Sequence, residues 1–477
     1  MVSFSTLDYT VIILFFISVL AIGFYSGRKT GNKADDYLLS GRKIGLFLFV
    51  LTTVSTWYGG ILGVGEFTYR YGLASWFTQG FPYYVFAALF AVFFARKIRS
   101  ASLFTIPDKL SLVYGNKVGL VTAVLVFVLV SPAPYLLMTA SLLSMMFGTG
   151  TIISLVIALL LSVLYLFHGG FKSNVYADAL QFFVMFGGFI LVLIVAYHYF
   201  GGIHYLESNL PKTHLELTGG ASPTFIIVWF LIALWTFADP GFHQRAYAAK
   251  SEKVAAVGIF ISIFFMAFFD FLTTATGLYA RAAIPNLSRP VLSYPLLAEK
   301  ILSPGFKGIF YAAMFATIMS TLNSFLFLSA TTIGRDFIFK ISKNKDEGKL
   351  KIYTIYGLVI GGILSIIVAY YIPSVIEIWY TVGSFCIPGI ILPVVSSYYP
   401  SFKIDKKILL IEIISAVVLS ISWYFIRDYF MIVKIIGEIE PMLVGLTGAA
   451  VIHAYGLLKR PSSYIEAKVQ PIQLNKI

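Results

Sequence analysis

Four hydroxyl side chains stand at helical spacing within one long apolar segment, YAAMFATIMSTLNSFLFLSATTIGRD at Tyr311–Asp336. The hydroxyls belong to Thr317, Ser320, Thr321 and Ser324. Their separations of three and four residues place them on one face of a helix. Because lipid does not stabilise such a face, we expect the oxygens to face other helices, water or an ion. A hard cation binds oxygen ligands of this type, so this segment is the first candidate functional element.

The composition is that of a membrane protein. The chain has 477 residues, of which 58% are hydrophobic and 12% charged, and its mean hydropathy is +0.86, outside the range of soluble globular domains. Apolar segments of roughly 16–28 residues recur along the chain, and about thirteen are long enough to cross a bilayer as helices. We therefore predict an all-α polytopic membrane protein with a single transmembrane domain at 1–477 and a short cytoplasmic tail at 459–477.

The net charge of +13 raises the question of nucleic-acid binding, but the distribution of the cations argues against it. If the N-terminus is outside, about 27 of the 35 lysines and arginines fall in inner loops and about 8 in outer loops. The inner clusters include Arg28–Lys43, Arg96–Arg99 and Lys340–Lys351. We predict a multi-pass protein of the cell membrane, in contact with lipid and not with nucleic acid, whose N-terminus is outside and whose C-terminus is cytoplasmic.

Two predicted spans contain helix-breaking residues at a depth where an intact helix would be expected. The second span has four glycines within Gly59–Gly65, and the seventh is stopped by Pro240 and Gly241. Unwound backbone inside a membrane is tolerated only where it is buried in protein or lines a cavity. Two breaks five spans apart predict inverted repeats at about 44–200 and 224–398. The alternative is that the glycines only allow close helix packing.

Five further fragments stand in order between the predicted spans. They are ADDYLLSGRKIG at 34–45, TIPDKLSLVYG at Thr105–Gly115, HGGFKSNVYADALQ at His168–Gln181, HQRAYAAKS at His243–Ser251 and MSTLNSFLFLSATTIGRDF at Met319–Phe337. In these fragments the chain resembles the sodium:solute symporter family, and the likeness covers nearly its whole length. The resemblance implies a LeuT-like fold of two inverted five-helix repeats, which agrees with the repeat that the breaks predict.

The resemblance also implies a sodium site. Members of the family hold the ion between the unwound part of the second span and the hydroxyl face of the ninth. Matching the motifs assigns ligand roles to the carbonyls of Ser55, Tyr58 and Thr317 and to the side chains of Ser320 and Thr321. Five neutral oxygens can replace part of the hydration shell of sodium, and a helix break frees the carbonyls that this requires. The alternative for a membrane hydroxyl is a hydrogen bond to the carbonyl one turn earlier.

Among the acids of the predicted spans, Glu377 and Glu412 lie near span ends and are expected to reach water, whereas Asp178 lies deeper. Asp178 matches an acidic residue that the family places near the inner end of the sixth span, on the sodium exit path and, in some members, at a second sodium site. A carboxylate at this depth is unfavourable unless it is paired or hydrated. A second ion would need Asp178 with Asn323 or Ser324, and Asn323 replaces the hydroxyl that is usual in the family.

The solute is expected near the middle of the membrane, between the two repeats. Matching the family places four residues around it: Trp57, Gln79, Trp235 and Tyr380. Sugar-transporting relatives carry Asn at the position of Trp57 and Glu at the position of Gln79, and proline-transporting relatives carry Asp at the position of Trp57, so neither specificity transfers. The alternative for the aromatic residues is packing, since 17% of the chain is aromatic.

Asp270 is a further candidate for contact with the solute. It lies in the middle of the eighth predicted span, where charge is unfavourable, and one helical turn from Met266, which matches a sugar-contacting position in the family. One interpretation is a counter-charge for an amine or a hydrogen-bond acceptor for hydroxyls. The other is an acid that is neutral, or satisfied by Thr273, Thr274 or a neighbouring helix.

These features predict a secondary active transporter, a symporter that uses the inward gradient of the coupling ion Na+ to carry a small organic solute by alternating access. No enzyme chemistry is expected, because the sequence has no zinc spacing, phosphate loop or nucleophile–base pair at motif level, and Cys386 is its only cysteine. The alternatives are a proton-coupled carrier of the same fold in which Asp178 or Asp270 titrates, a solute sensor lacking transport, and a channel. The short tail argues against a fused signalling domain. The solute, the sodium stoichiometry and the oligomeric state stay open.

Overall fold

A computed structural model describes residues 2–28, 30–31, 33–342, 346–430 and 439–460. These residues are helical and form no β-strand, and one isolated bridge pairs Ile44 with Ala249. The prediction of an all-α protein is therefore confirmed. Three cations of the predicted inner loops, Lys29, Lys343 and Lys345, and the predicted tail from residue 461 onwards lie outside the described residues.

Fifteen helical segments form the main body of the fold. In chain order they are α1 (Thr6–Gly27), α2 (Leu46–Trp57), α3 (Ile61–Tyr71), α4 (Trp76–Ala101), α5 (Asn116–Phe147), α6 (Thr151–Val163), α7 (Leu166–Phe200), α8 (Pro223–Ile232), α9 (Pro240–Ala248), α10 (Glu252–Ala283), α11 (Phe306–Phe339), α12 (Leu350–Tyr371), α13 (Val375–Tyr398), α14 (Lys406–Ile426) and α15 (Pro441–Leu458). Short helices at Ala34–Leu39, Ile106–Tyr114, Ile203–Asn209 and Ser293–Ile301 lie in the connections.

The number of spans differs slightly from the prediction. Among the described residues, 11 helices are long and apolar enough to cross a membrane if α8 and α9 are counted together as Pro223–Ala248, or 12 if α2 and α3 also form one bent span. The helix α6 is apolar but has only 13 residues. A count of thirteen is therefore not confirmed, because α6 is shorter than the length that identifies a span.

Contacts at the two ends of α6 nevertheless connect it to opposite ends of α1. Before α6, the carbonyl of Met146 accepts a hydrogen bond from the Tyr9 hydroxyl at 2.9 Å, and Tyr9 lies in the first turns of α1. After α6, the carbonyl of Leu166 accepts a hydrogen bond from the Tyr37 hydroxyl at 3.0 Å. Tyr37 lies in the short helix Ala34–Leu39, in the connection that follows α1. Because α1 has 22 residues and spans about 33 Å, α6 runs between the two ends of the helix bundle.

Connections that were predicted to lie on the inner side are in contact with one another. Arg42 follows α1 and donates two hydrogen bonds to backbone carbonyls. One goes to Ser102, directly after α4, at 3.1 Å, and the other goes to Tyr247 in α9 at 3.4 Å. Arg99, in α4, donates to the carbonyl of Ala249 at 2.5 Å. Cations that satisfy the last carbonyls of helices are stabilising, so this cationic end of the bundle is held together by its own arginines.

The helix α11 is the most buried of the long apolar helices among the described residues. Its residues from Phe310 to Thr331 are all buried, and it packs against α7, α1, α2 and α12. The backbones of α7 and α11 lie so close that a Cβ atom at Gly188 would be 2.2 Å from the Cβ of Ala313. Small residues allow membrane helices to approach in this way. The hydroxyl face of α11 is therefore turned towards other helices and not towards lipid.

The chain divides into two compact units, Met1–Ile106 with Val126–Val382, and Pro107–Leu125 with Gly383–Ile477. The larger unit contains every residue of the predicted sites.

In the smaller unit, Glu412 of α14 and His453 of α15 form a buried pair at 2.8 Å. The expectation that Glu412 reaches water is therefore wrong, because His453 gives it a partner inside the protein. Glu377, in the larger unit, is exposed as expected.

The first turn of α1 is joined to the start of α11 through a buried carboxylate. Asp8 accepts hydrogen bonds from the backbone N–H groups of Gly305 and Gly308, both at 2.8 Å, and from the hydroxyl of Ser5 at 2.7 Å. The N–H groups at a helix start have no partner within the helix, so an acceptor outside it is needed. Asp8 supplies that acceptor.

We expect Asp8→Ala to lower the free energy of unfolding by about 1–3 kcal/mol, because the two N–H groups are then buried without an acceptor. The measurement is thermal denaturation of the purified protein in detergent. Thr10→Ala is the matched control, since Thr10 lies in the same helix and its exposed hydroxyl bonds only to the carbonyl of Thr6. Equal melting temperatures for the two variants would show that Asp8 has no such role.

Candidate ion and solute sites

The second predicted span is broken where the sequence indicated. The helix α2 ends at Trp57, α3 begins at Ile61, and the two axes are bent by 57°. Between them, Tyr58 (φ −99°, ψ 19°) and Gly60 (φ −81°, ψ 25°) leave the helical conformation. The last carbonyls of α2 therefore have no partner in a following turn.

Glycine is required at this break because other side chains press against it. A Cβ atom at Gly59 would lie 2.2 Å from Thr321 Oγ1, and one at Gly60 would lie 2.5 Å from the indole of Trp379. Both distances are far below van der Waals contact. The break is thus a point of close approach between α2, α11 and α13.

The seventh predicted span is also broken. The helix α8 ends at Ile232, a 3₁₀ segment follows at Ala233–Ala238, and Asp239 is extended (φ −67°, ψ 114°) before α9 begins. The Asp239 carboxylate caps α9 by accepting from the N–H groups of Gly241 at 2.6 Å and Phe242 at 3.0 Å. Both breaks of the predicted repeat are therefore confirmed.

The hydroxyl face of α11 meets the first break. Ser320 Oγ donates to the carbonyl of Ser55 at 2.7 Å and lies 3.0 Å from the carbonyl of Thr317. Thr321 Oγ1 donates to the carbonyl of Thr56 at 2.7 Å. The predicted oxygens of Ser55, Thr317 and Ser320 thus lie together, and all are buried. Neutral hydroxyl and carbonyl oxygens of this kind fit a hard monovalent cation such as sodium.

Tyr58 connects the break to Asp270. The Tyr58 hydroxyl donates to Asp270 Oδ1 at 2.6 Å and lies 2.7 Å from Thr273 Oγ1. The hydroxyl of Tyr84, in α4, donates to Asp270 Oδ2. The buried carboxylate of Asp270 is therefore satisfied by two tyrosines, and Thr273 contacts one of those tyrosines. Whether Asp270 also touches the solute stays a prediction.

Asp178 lies in α7 beside a charged partner that the sequence reasoning missed. Its Oδ2 accepts from Thr52 Oγ1 at 2.5 Å and lies 3.4 Å from Nη2 of Arg245, with both charged side chains almost fully buried. Its other oxygen, Oδ1, has no hydrogen-bond partner among the described residues. Ser324 reaches the same arginine, with its Oγ 3.0 Å from Nη2. Asp178 and Ser324 therefore lie beside the same arginine, and their role at an ion site stays a prediction.

Asn323 is not part of that group. Its side-chain nitrogen donates to the hydroxyl of Tyr165, and its Oδ1 has no hydrogen-bond partner among the described residues. The residue is completely buried on α11. Its role at a second ion site stays a prediction, since the hydrogen bond that its side chain makes goes to Tyr165, directly before α7.

The four residues predicted around the solute lie on different elements. They are Trp57 at the end of α2, Gln79 in α4, Trp235 in the 3₁₀ segment before α9, and Tyr380 in α13, and each is half-buried. Trp57 packs edge-on against Phe242 of α9 with a centroid distance of 4.8 Å, so it joins the two breaks. The common role of the four residues stays a prediction.

Sequence reasoning missed three residues: Arg245, Tyr84 and Trp379. Arg245 lies within the fragment HQRAYAAKS, which carried the family resemblance without a role for the arginine. A cation among alanines in a helix next to a break could have indicated a paired buried charge. Tyr84 and Trp379 had no such signal, because the chain holds 30 tyrosines and 6 tryptophans and nothing in the sequence around these two sets them apart.

Comparison with known proteins identifies the family. The profile of the sodium:solute symporter family matches residues 37–399. The sodium/pantothenate symporter of Escherichia coli (strain K12) is 29% identical over 402 residues, covering 78% of this chain and 81% of the relative. The sodium/proline symporter of Staphylococcus aureus (strain JH9) is 27% identical over 363 residues, and the match covers 72% of this chain and 70% of the relative. The high-affinity choline transporter 1 of Drosophila melanogaster is 25% identical over 395 residues, and the match covers 77% of this chain and 63% of that protein's length.

Two solved structures resemble the fold. A Na+-coupled sialic acid symporter, in a substrate-bound outward-open state that reveals a novel Na+ site, superposes with a TM-score of 0.81 at 16% identity and covers 96% of this chain and 99% of its own. Mhp1, a nucleobase-cation-symport-1 family transporter, superposes with a TM-score of 0.57 at 12% identity, and the match covers 88% of this chain and 94% of the Mhp1 chain. At these identities the likeness shows the fold alone. This fold is the predicted LeuT-like one.

The relatives and the family are membrane transporters and not enzymes, as the sequence predicted. The profile covers most of the chain and includes both breaks and the hydroxyl face of α11. This multi-pass membrane protein belongs to the sodium:solute symporter family.

Proposed function

We propose that the protein is a sodium-coupled symporter that carries a small organic solute across the cell membrane by alternating access. The observation that carries this proposal is the junction of Ser320, Ser55 and Thr317, where one hydroxyl lies 2.7 Å and 3.0 Å from two carbonyl oxygens. One carbonyl belongs to the broken second span and the other to α11, so an ion at this point bridges two helices. The sodium symporters among the relatives support sodium as that ion.

The proposed mechanism uses this bridge to couple ion and solute. Sodium binds the carbonyls of Ser55, Tyr58 and Thr317 and the hydroxyls of Ser320 and Thr321, and it thereby fixes the break between α2 and α3 against α11. The fixed break holds Trp57 and its neighbours in the arrangement that receives the solute. Each ligand then raises the affinity of the protein for the other by the same factor, which is the thermodynamic basis of coupling.

The proposed solute site combines aromatic faces with one amide, from Trp57, Gln79, Trp235 and Tyr380. Aromatic faces bind apolar or cationic parts of a solute, and an amide bonds to polar groups. Choline, pantothenate and proline, which the named relatives carry, are small organic molecules of this type. For orientation, we propose that the N-terminus is outside, because the cationic connections at one end of the bundle then lie in the cytoplasm.

The direct test measures whether proteoliposomes that contain the protein take up choline, pantothenate, proline or sialic acid. Each solute is tested under three conditions: an inward sodium gradient, potassium in place of sodium, and a proton gradient alone. We expect saturable uptake of at least one solute only with the sodium gradient. Uptake driven by the proton gradient without sodium would instead favour the proton-coupled carrier. Solute binding without any uptake would favour the sensor.

The first prediction for the sodium site is that Ser320→Ala and Thr321→Ala each raise the sodium concentration for half-maximal uptake by about tenfold, or about 1.4 kcal/mol. Each change removes one ligand oxygen from an ion that has few others. Thr317→Val is the matched control, because the Thr317 hydroxyl bonds to the carbonyl of Ala313 at 2.7 Å in its own helix, and the backbone carbonyl is retained. Unchanged sodium dependence in the Ser320 and Thr321 variants would remove them from the site.

The second prediction concerns the break itself. We expect Gly59→Ala to abolish sodium-dependent uptake while the protein still inserts, because the new methyl group overlaps Thr321. Gly45→Ala is the matched control. Gly45 lies directly before α2, and among the described residues no atom beyond its chain neighbours lies within 4 Å of the added Cβ, so this variant should behave as the wild type. Uptake by the Gly59 variant with normal sodium affinity would mean that the break does not position the ion.

The third prediction separates the two interpretations of Asp270. We propose that Asp270 acts by positioning Tyr58, so Asp270→Asn and Tyr58→Phe should each raise the half-saturating sodium concentration by about tenfold, since a hydrogen bond to a charged group contributes about 1.5–3 kcal/mol. Tyr84→Phe leaves the bond between Tyr58 and Asp270 intact and is the control. If Asp270→Asn instead changed the ranking of solutes and left sodium affinity normal, Asp270 would be a solute contact.

A further inference from the structure

Four oxygen atoms converge on one nitrogen atom inside the larger unit. The nitrogen is Nη2 of Arg245, which lies 3.0 Å from Thr52 Oγ1, 3.0 Å from Ser324 Oγ and 3.4 Å from Asp178 Oδ2, and which also donates to Thr56 Oγ1. We call these four oxygens the cation cage. They come from α2, α7 and α11, and all four residues are buried.

The donor set of the cation cage is one that a monovalent metal ion could use. Three neutral hydroxyls and one carboxylate oxygen surround the centre, and hard cations prefer such oxygen ligands. Asp178 and Ser324 are also the residues that sequence reasoning assigned to a second sodium ion. In this structure the centre of the cage is the guanidinium nitrogen of Arg245, so a sodium ion could enter only by displacing it.

The rest of the arginine is held as firmly as its Nη2 atom. Nε donates to the carbonyl of Thr52 at 3.2 Å, and Nη1 lies 3.4 Å from the carbonyl of Gly241. Asn174 donates to Ser324 Oγ at 2.7 Å and to Asp178 Oδ2 at 3.3 Å, which occupies further acceptor positions of the cage. A guanidinium is always charged and presents its donors in a fixed fork, so it is well suited to such a position.

We propose that Arg245 is a permanent cation of the cage, so that the protein carries one sodium ion per solute and none at the Asp178 position. This inference rests on the proposed function and adds the stoichiometry of the cycle. Because Arg245 is covalently part of α9, its charge stays with the protein when sodium leaves. The cage lies one helical turn along α11 from Ser320, about 6 Å, and Nη2 of Arg245 occupies the place that a second ion would take.

The test is equilibrium binding of radioactive sodium to the purified protein in detergent, without solute, at neutral and at alkaline pH. We expect the wild type to bind one ion along a hyperbolic curve. Arg245→Ala frees the cage and leaves the Asp178 carboxylate without its partner, so it should bind two ions. Arg245→Ala combined with Asp178→Asn should bind one, because the carboxylate that attracts the second ion is gone.

Two further variants keep the experiment decisive. Arg245→Lys retains a cation and should bind one sodium ion. Arg281→Ala removes an arginine whose Nη1 contacts the Tyr69 hydroxyl, far from the cage in the chain, and should also bind one. If Arg245→Ala fails to fold because of the uncompensated charge, Arg245→Gln takes its place, because it keeps a hydrogen-bond donor but no charge, and it should also bind two ions.

The outcomes separate this inference from the proposed function. Two sodium ions bound to the wild type would overturn the inference and leave the function standing. One ion bound to a folded Arg245→Ala variant at both pH values would also overturn it, since the guanidinium would then not be what excludes the second ion. No sodium bound to the wild type would overturn the proposed function and this inference with it.

Discussion

The fold depends on the rule that a backbone carbonyl in the membrane interior needs a hydrogen-bond donor. The helix α2 stops at Trp57, and its last carbonyls are left without helical partners. Ser320 and Thr321 supply the missing donors to the carbonyls of Ser55 and Thr56. The same contact that makes the break tolerable therefore gathers the oxygens of the proposed sodium site, where, on that proposal, the ion competes with hydroxyl protons for the carbonyls.

Three carboxylates within the spans make contacts at or beside the two breaks. Asp239 caps α9 directly after the second break. Asp270 accepts a hydrogen bond from Tyr58 in the first break. Asp178 pairs with Arg245, which lies in α9. A buried charge is unfavourable unless it is paired or hydrogen-bonded, and here each carboxylate is compensated by groups at or beside unwound backbone.

The sequence predicted those parts of the site that are encoded locally. The hydroxyl spacing of α11 and the glycines at Gly59–Gly65 are short-range patterns, and the structure joins them as the pattern indicated. Arg245 could not be placed, because its partners Thr52 and Asp178 are distant in the chain and only the packing of α9 against α2 and α7 brings them together. For Asn323 the sequence suggested a site shared with Ser324, and the structure shows its side-chain nitrogen bonded to Tyr165, since adjacent residues of a helix point in different directions.

The short helix α6 has a consequence for the surrounding membrane. Its 13 residues rise about 20 Å, whereas the hydrocarbon layer is about 30 Å thick. The side chains of Ile152, Ile153, Val156 and Leu160 are exposed on its outer face, an apolar surface suited to contact with lipid. The helical backbone continues from α6 through Leu164 and Tyr165 to a break at Gly170 (φ 55°), so neighbouring residues make up part of the shortfall, and each ångström of mismatch that is left carries a modest energy. The acyl-chain length of the host lipids therefore bears on the stability of this protein through the outer face of α6.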